Sequence, residues 1–224
     1  MILGFIFGFD DGRPSFNISL YLMDIIKFII ISLAMLYLYT KIQEFFAKKN
    51  GAIAKLTLWN AKGFKIPFGK QRRTLPLWII IPIIISLISK GQLYFAGILT
   101  TEITEIQKYR LGRKYKKLTE FERAKILVSA PLILSAISLV SFPFIKDFSL
   151  VASMIAVFSM LPLPKLAGAD IFFGSKPSYI ISTTFILAVA IFIKLLSPLA
   201  AMLIAMIIAS VAVITYSYIF YKKR

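Results

Sequence analysis

Ten carboxylates, no histidine and no cysteine occur in the 224 residues, so the groups able to do chemistry can be taken one by one. Without histidine the commonest zinc ligand and the commonest general base are both missing. Without cysteine there is no thiolate nucleophile and no disulfide. Two carboxylates stand where a site could form. Asp170 lies in LPLPKLAGADIFFGSKP, Leu161 to Pro177, where prolines and glycines interrupt an otherwise apolar sequence. Glu44 lies among Lys41, Lys48 and Lys49. Carboxylates without imidazole would hold only a hard cation such as magnesium, and weakly. The plainer readings are a helix cap or loop residue for Asp170 and an interfacial charge for Glu44. Ser129 and Ser135 have no basic partner other than a possible lysine, and serine in an apolar helix more often bonds its own backbone.

The elements that must position these groups are membrane-type. The chain is 58% hydrophobic, with 27 Lys and Arg against 10 Asp and Glu, a net charge of +17, and its mean hydropathy is +0.81. This composition predicts an α-helical, multi-pass integral membrane protein of one domain whose first partner is the lipid bilayer. The basic excess belongs in cytoplasmic loops facing anionic lipid, and no nucleic acid is expected as a partner.

Residues 1–17 read as a retained external tail and 18–39 as a first span, with Asp24 and Lys27 one helical turn apart. Residues 40–74 form a cytoplasmic segment. Within it Leu56 and Leu58 alternate with Lys55 and Thr57, and Phe64, Ile66 and Phe68 repeat the alternation beyond Asn60 to Gly63. That pattern predicts an amphipathic β-hairpin at the cytoplasmic membrane surface, with an edge able to pair with an extended peptide. Residues 75–100 are a second span or a re-entrant segment. A crossing would put the eight Lys and Arg of the basic loop, 101–125, outside, so re-entry is preferred.

Residues 126–221 form the helical core. Thr119 and Glu122 have the spacing of a capping box for a helix running to about Lys146 and kinked at Pro131. A turn around Asp147, a helix over 149–161, the Pro/Gly stretch, and spans at 178–195 and 198–221 follow. About five transmembrane helices result, with the N-terminus outside and the C-terminus in the cytoplasm. Ala201, Ala205 and Ala209 make a small-residue stripe suited to close helix packing.

Three segments together resemble the site-two protease family of intramembrane zinc metalloproteases, in its archaeal form. LPLPKLAGADIFFGSKP is similar to that family's N-x-x-P-x-x-P-L-D-G segment with its following K-P pair: Leu166, Gly168, Lys176 and Pro177 match, and the zinc-binding aspartate falls on Ala167. Aligning Gly51 and AIAKLTLW with the family's strand puts Tyr39, Thr40 and Gln43 at the first histidine, the glutamate and the second histidine of H-E-x-x-H. AKILVSAPLILS, Ala124 to Ser135, resembles G-K-I-A-L-A-G-P-L-T-N, with the family's substrate-orienting asparagine falling on Leu134. YFAGI, Tyr94 to Ile98, is similar to a loop of the family's re-entrant element.

The resemblance implies a degenerate member that has lost the zinc site, with no cofactor and no catalytic residues, and that binds transmembrane segments or partner membrane proteins. Substrate-type contacts would fall on Leu56, Leu58, Phe64, Ile66, Leu134 and Gly168, the strands holding an extended segment by strand addition. Two other expectations stand beside it. One is a peptidase with carboxylate or non-standard metal chemistry, for which Asp170 is the residue to test. The other is a transporter component, which the few ionisable groups in the spans, Asp24, Lys27 and Lys194, do not favour.

Overall fold

A computed structural model describes residues 2–8, 18–64, 73–89, 94–105 and 118–222. The elements are α1 (Ile2–Gly8), α2 (Ile18–Lys49), β1 (Ala52–Leu58), β2 (Ala61–Phe64), β3 (Arg73–Leu75), α3 (Leu77–Ile88), β4 (Leu99–Glu105), α4 (Glu120–Ser141), α5 (Lys146–Ser159), α6 (Ala167–Gly174), α7 (Lys176–Phe192) and α8 (Pro198–Lys222).

No proline or glycine falls between Ile18 and Lys49, so α2 runs unbroken for 32 residues. It stops at Asn50 and Gly51, where Gly51 takes φ 74° and its N–H bonds the Lys48 carbonyl. That left-handed turn is cheap only for glycine, and it sends β1 back along the helix. Ala52 and Ala54 of β1 are buried with Ala47 and Ile126, while Leu58 at the far end lines a cavity with Ser32 and Leu36. Leu36 lies about 20 Å from the end of α2 at 1.5 Å per residue. The strand therefore runs back beside the helix.

The expected hairpin partner is also corrected. β1 pairs antiparallel with β4, Ala52 opposite Glu105 and Leu58 opposite Leu99. A second small sheet joins β2 to β3. Alternation along a strand encodes which face is buried and carries no information about the partner. Here Thr57 and Thr100 close the true register, their hydroxyls 2.8 Å apart. Phe64 enters β2 in place of the hairpin's second strand, its side chain lying outside the described residues together with Ile66 and Phe68.

Between these strands the chain goes out and comes back. Trp59 N–H donates to the Ile98 carbonyl at 2.9 Å, and Trp78 N–H donates to the Trp59 carbonyl at 3.0 Å. Both ends of segment 78–98 thus meet at one residue. α3, 12 residues long, covers only about 18 Å.

Of the segment expected to be a tail, residues 2–8 pack into the core, and residues 9–17 lie outside the described residues. Leu3, Ile6 and Phe7 of α1 are buried, and Gly4 and Gly8, four apart, lie against Ile29 and Ile25 of α2, so that a Cβ on Gly4 would strike Ile29 and one on Gly8 would press on Ile25. This G-x-x-x-G spacing is the close-approach pattern of membrane helix pairs. Lys27 forms an ion pair with Asp147, in the first turn of α5, which ties α2 to α5.

α4 is the central helix, packing against α2, α5, α6, α7 and α8. Its most apolar window is 56% buried, against 11% for α2 and 17% for α8. Its capping box forms as expected: Thr119 Oγ1 accepts from Glu122 N–H, and Glu122 accepts from Thr119 N–H. Pro131 sits inside the helix, which ends at Ser141 before the turn through Phe144. In α8 Ala201, Ala205 and Ala209 are buried; Ala201 and Ala205 pack with Ala188 and Val189 of α7, so the small-residue stripe serves intramolecular packing. Among the described residues α2, α4 and α8 are long and apolar enough to cross a membrane.

Candidate functional site

On α2 the buried positions are Ser32, Met35, Tyr39, Gln43 and Ala47, spaced by three and then four residues. That is one face of the helix. The two positions aligned with histidines lie on it, one turn apart, and Tyr39 and Gln43 are 2% and 0% exposed. Gln43 Nε2 donates to the Tyr39 hydroxyl at 3.2 Å, and Thr101 Oγ1 of β4 donates to Gln43 Oε1 at 2.6 Å. Ser159, at the end of α5, borders the same small cavity as the phenol and donates its own hydroxyl to the Ala156 carbonyl at 2.8 Å. A cavity of about 10 Å³ beside this group, lined by Tyr39, Ser159, Gly97 and Leu99, has room for about one water. Thr40, aligned with the general base, turns its hydroxyl to the Leu36 carbonyl at 2.8 Å.

This donor set does not fit zinc. A zinc site takes imidazole, thiolate or carboxylate donors. Here a phenol and an amide hold one another, and Ala167, 4% exposed, supplies hydrocarbon at the third position. Among the described residues no group of three or more carboxylates that could hold a metal ion occurs.

The candidate carboxylates lie elsewhere in chemical character. Asp170, in the first turn of α6, faces Arg123 at 3.9 Å, with the two side chains 40% and 46% exposed. Glu44 takes Lys41 at 3.0 Å. Each is a solvated ion pair, worth little on its own. Ser129 bonds the Ile126 carbonyl at 2.6 Å, as expected of a helix serine, whereas the buried Ser135 hydroxyl has no partner among the described residues.

The structure divides the expected contact residues. Leu134 is 0% exposed inside the core. Any Cβ on Gly168 would strike the Met160 carbonyl, so this glycine lets α6 approach the end of α5. Leu56 is half-buried against the main core, and Leu58, 43% exposed, lines a cavity mouth.

Sequence reasoning missed Trp59. Besides its two backbone bonds it donates from Nε1 to the Pro164 carbonyl at 3.0 Å and stacks on Phe95 at 6.4 Å. Beside it Lys165, in the left-handed region at φ 71°, reaches the Asn60 carbonyl with Nζ at 2.8 Å. The Pro/Gly stretch is thereby fastened to the end of β1. The signal was present: one of two tryptophans, at the end of an alternating strand. No family model, curated protein or solved structure matches the chain.

Proposed function

We propose that the chain is a catalytically inactive, site-two-protease-like membrane protein that binds transmembrane segments or partner membrane proteins. The observation that carries the reading is the Tyr39, Gln43 and Thr101 cluster. The face that would hold a metal in an active relative is filled by a closed set of hydrogen bonds without a strong base or an anionic ligand.

Three apolar helices support membrane insertion. In the proposed topology α2, α4, α5, α7 and α8 cross, and segment 78–98 re-enters, because its two ends meet at Trp59. The N-terminus is outside, and the basic segments after α2, before α4 and at the C-terminus face the cytoplasm. The client would lie against β1, whose outward face carries Ile53, 51% exposed, and Lys55.

A photoreactive residue at Ile53 tests this in cells. The expected result is a discrete membrane-protein adduct absent from the same probe at Phe144, which is 83% exposed beyond α4. Identical adducts from both positions, or one tightly bound zinc per purified chain, would overturn the reading.

A further inference from the structure

A cavity of about 180 Å³ lies between α1, α2, α3 and the β1–β4 sheet, lined by Ile2, Leu3, Ile29, Ser32, Leu58 and Trp78 among others. Its walls are almost wholly apolar, and an apolar cavity of about 150 Å³ stays dry and accepts a benzene-sized guest. One polar atom breaks the pattern. Ser32 is 3% exposed, and its hydroxyl has no hydrogen-bond partner among the described residues. A serine in an apolar helix ordinarily returns its hydroxyl to a carbonyl one turn back, as Thr40, Ser182 and Ser210 do here. A buried donor left unmade is costly. Ser32 lines the cavity, so a guest with an acceptor oxygen would satisfy it.

We propose that this cavity binds the head-proximal part of one membrane lipid chain, whose carbonyl or ether oxygen accepts a hydrogen bond from Ser32. Two features select a lipid chain. Leu33 of α2 and Leu58 of β1, both lining the cavity, are 57% and 43% exposed, and the apolar window of α2 is only 11% buried, so access is sideways from hydrocarbon. Ser32 lies five positions, about 7.5 Å along the axis, from Lys27 and its partner Asp147, so an oxygen at this depth sits just below a charged layer.

Trp78 lines the cavity and Trp59, 4% exposed, does not, so intrinsic fluorescence reads the site. The full chain would be purified in detergent micelles free of phospholipid and titrated with phosphatidylcholine brominated on the acyl chains, and in a parallel arm with free dibromostearate. The expected result is quenching that saturates at low mole fraction in at least one arm. The arm that saturates at lower mole fraction identifies an esterified or a free chain as the source. Ser32→Ala, which keeps the shape, should weaken the apparent affinity roughly 2- to 10-fold, the span of one neutral hydrogen bond. Ser32→Phe should abolish the saturable phase. Quenching that rises linearly in both arms, or that is the same in Ser32→Ala as in the natural chain, would overturn the proposal; the alanine variant decides the matter even if the phenylalanine variant does not fold.

Discussion

The indole Nε1 of Trp59 donates to the carbonyl of Pro164 at 3.0 Å across 105 positions of sequence. The same residue receives the outgoing end of segment 78–98 at its carbonyl and the returning end at its amide. One side chain and its backbone therefore join the strand, the out-and-back segment and the Pro/Gly stretch. Trp59→Phe keeps an aromatic side chain but removes the donor and part of the buried indole's bulk. It should cost about 1 kcal/mol, and more if the carbonyl stays dry, read as a lowered thermal midpoint in detergent. An unchanged midpoint would mean that the bond contributes nothing.

The buried cluster predicts non-additive losses. Tyr39→Phe strands the Gln43 amide donor, and Gln43→Leu strands the Thr101 hydroxyl, each for about 1–3 kcal/mol. Since the two residues share one bond, the double variant should lose less than the sum. Additive shifts in a double-mutant cycle of unfolding midpoints would show that the pair is not coupled.

Three glycines should rank in order. Gly168→Ala drives a Cβ into the Met160 carbonyl, and backbone cannot yield as a side chain can. It should be the most damaging, by at least the 1–3 kcal/mol of ordinary overpacking, as about that much is typical of a crowded core. Gly51→Ala meets open space and suffers only from its positive φ, at about 1 kcal/mol. Gly174→Ala, with the Glu120 carbonyl at 2.6 Å, should fall between them. Relative yield of folded protein in gel filtration would establish the order.

Lys165 holds a left-handed backbone and a hydrogen bond to Asn60 at once. Lys165→Ala loses the bond and keeps the strain, whereas Lys165→Gly loses the bond and relieves the strain. The glycine variant should therefore be the more stable of the two by about 1 kcal/mol. Comparison of their unfolding midpoints tests the sign.

Asp170→Asn should change stability by no more than about 1 kcal/mol, since its ion pair with Arg123 is long and solvated. It should also leave adduct formation from Ile53 unchanged. Loss of a client reaction in this variant with folding intact would restore a carboxylate enzyme.

Much of the helical plan was legible because apolar runs, caps and breakers are local. The Thr119 capping box and the limits of α7 and α8 stand within a few residues of the pattern that announces them. Partners were less legible, because they depend on what lies across the fold. Leu56 and Leu58 look alike in sequence, yet one packs into the core and the other borders a cavity. Lys27 stands one turn from Asp24 and bonds Asp147 from another helix. The acidic residues after Phe9 drew attention to an outside tail, while the glycines four apart just before them carried the packing information for α1.

The position of Pro164 has a consequence for biosynthesis. At about 5–20 residues per second, a ribosome needs about 5–20 s to go from Trp59 to Pro164. Once Ile98 has been made, within that interval, the out-and-back segment can return to Trp59 while the indole N–H still waits for Pro164. An assembly factor or neighbouring chain offering a carbonyl there would compete only within this window, so the docking of the Pro/Gly stretch also marks the moment at which the nascent chain closes to such rivals.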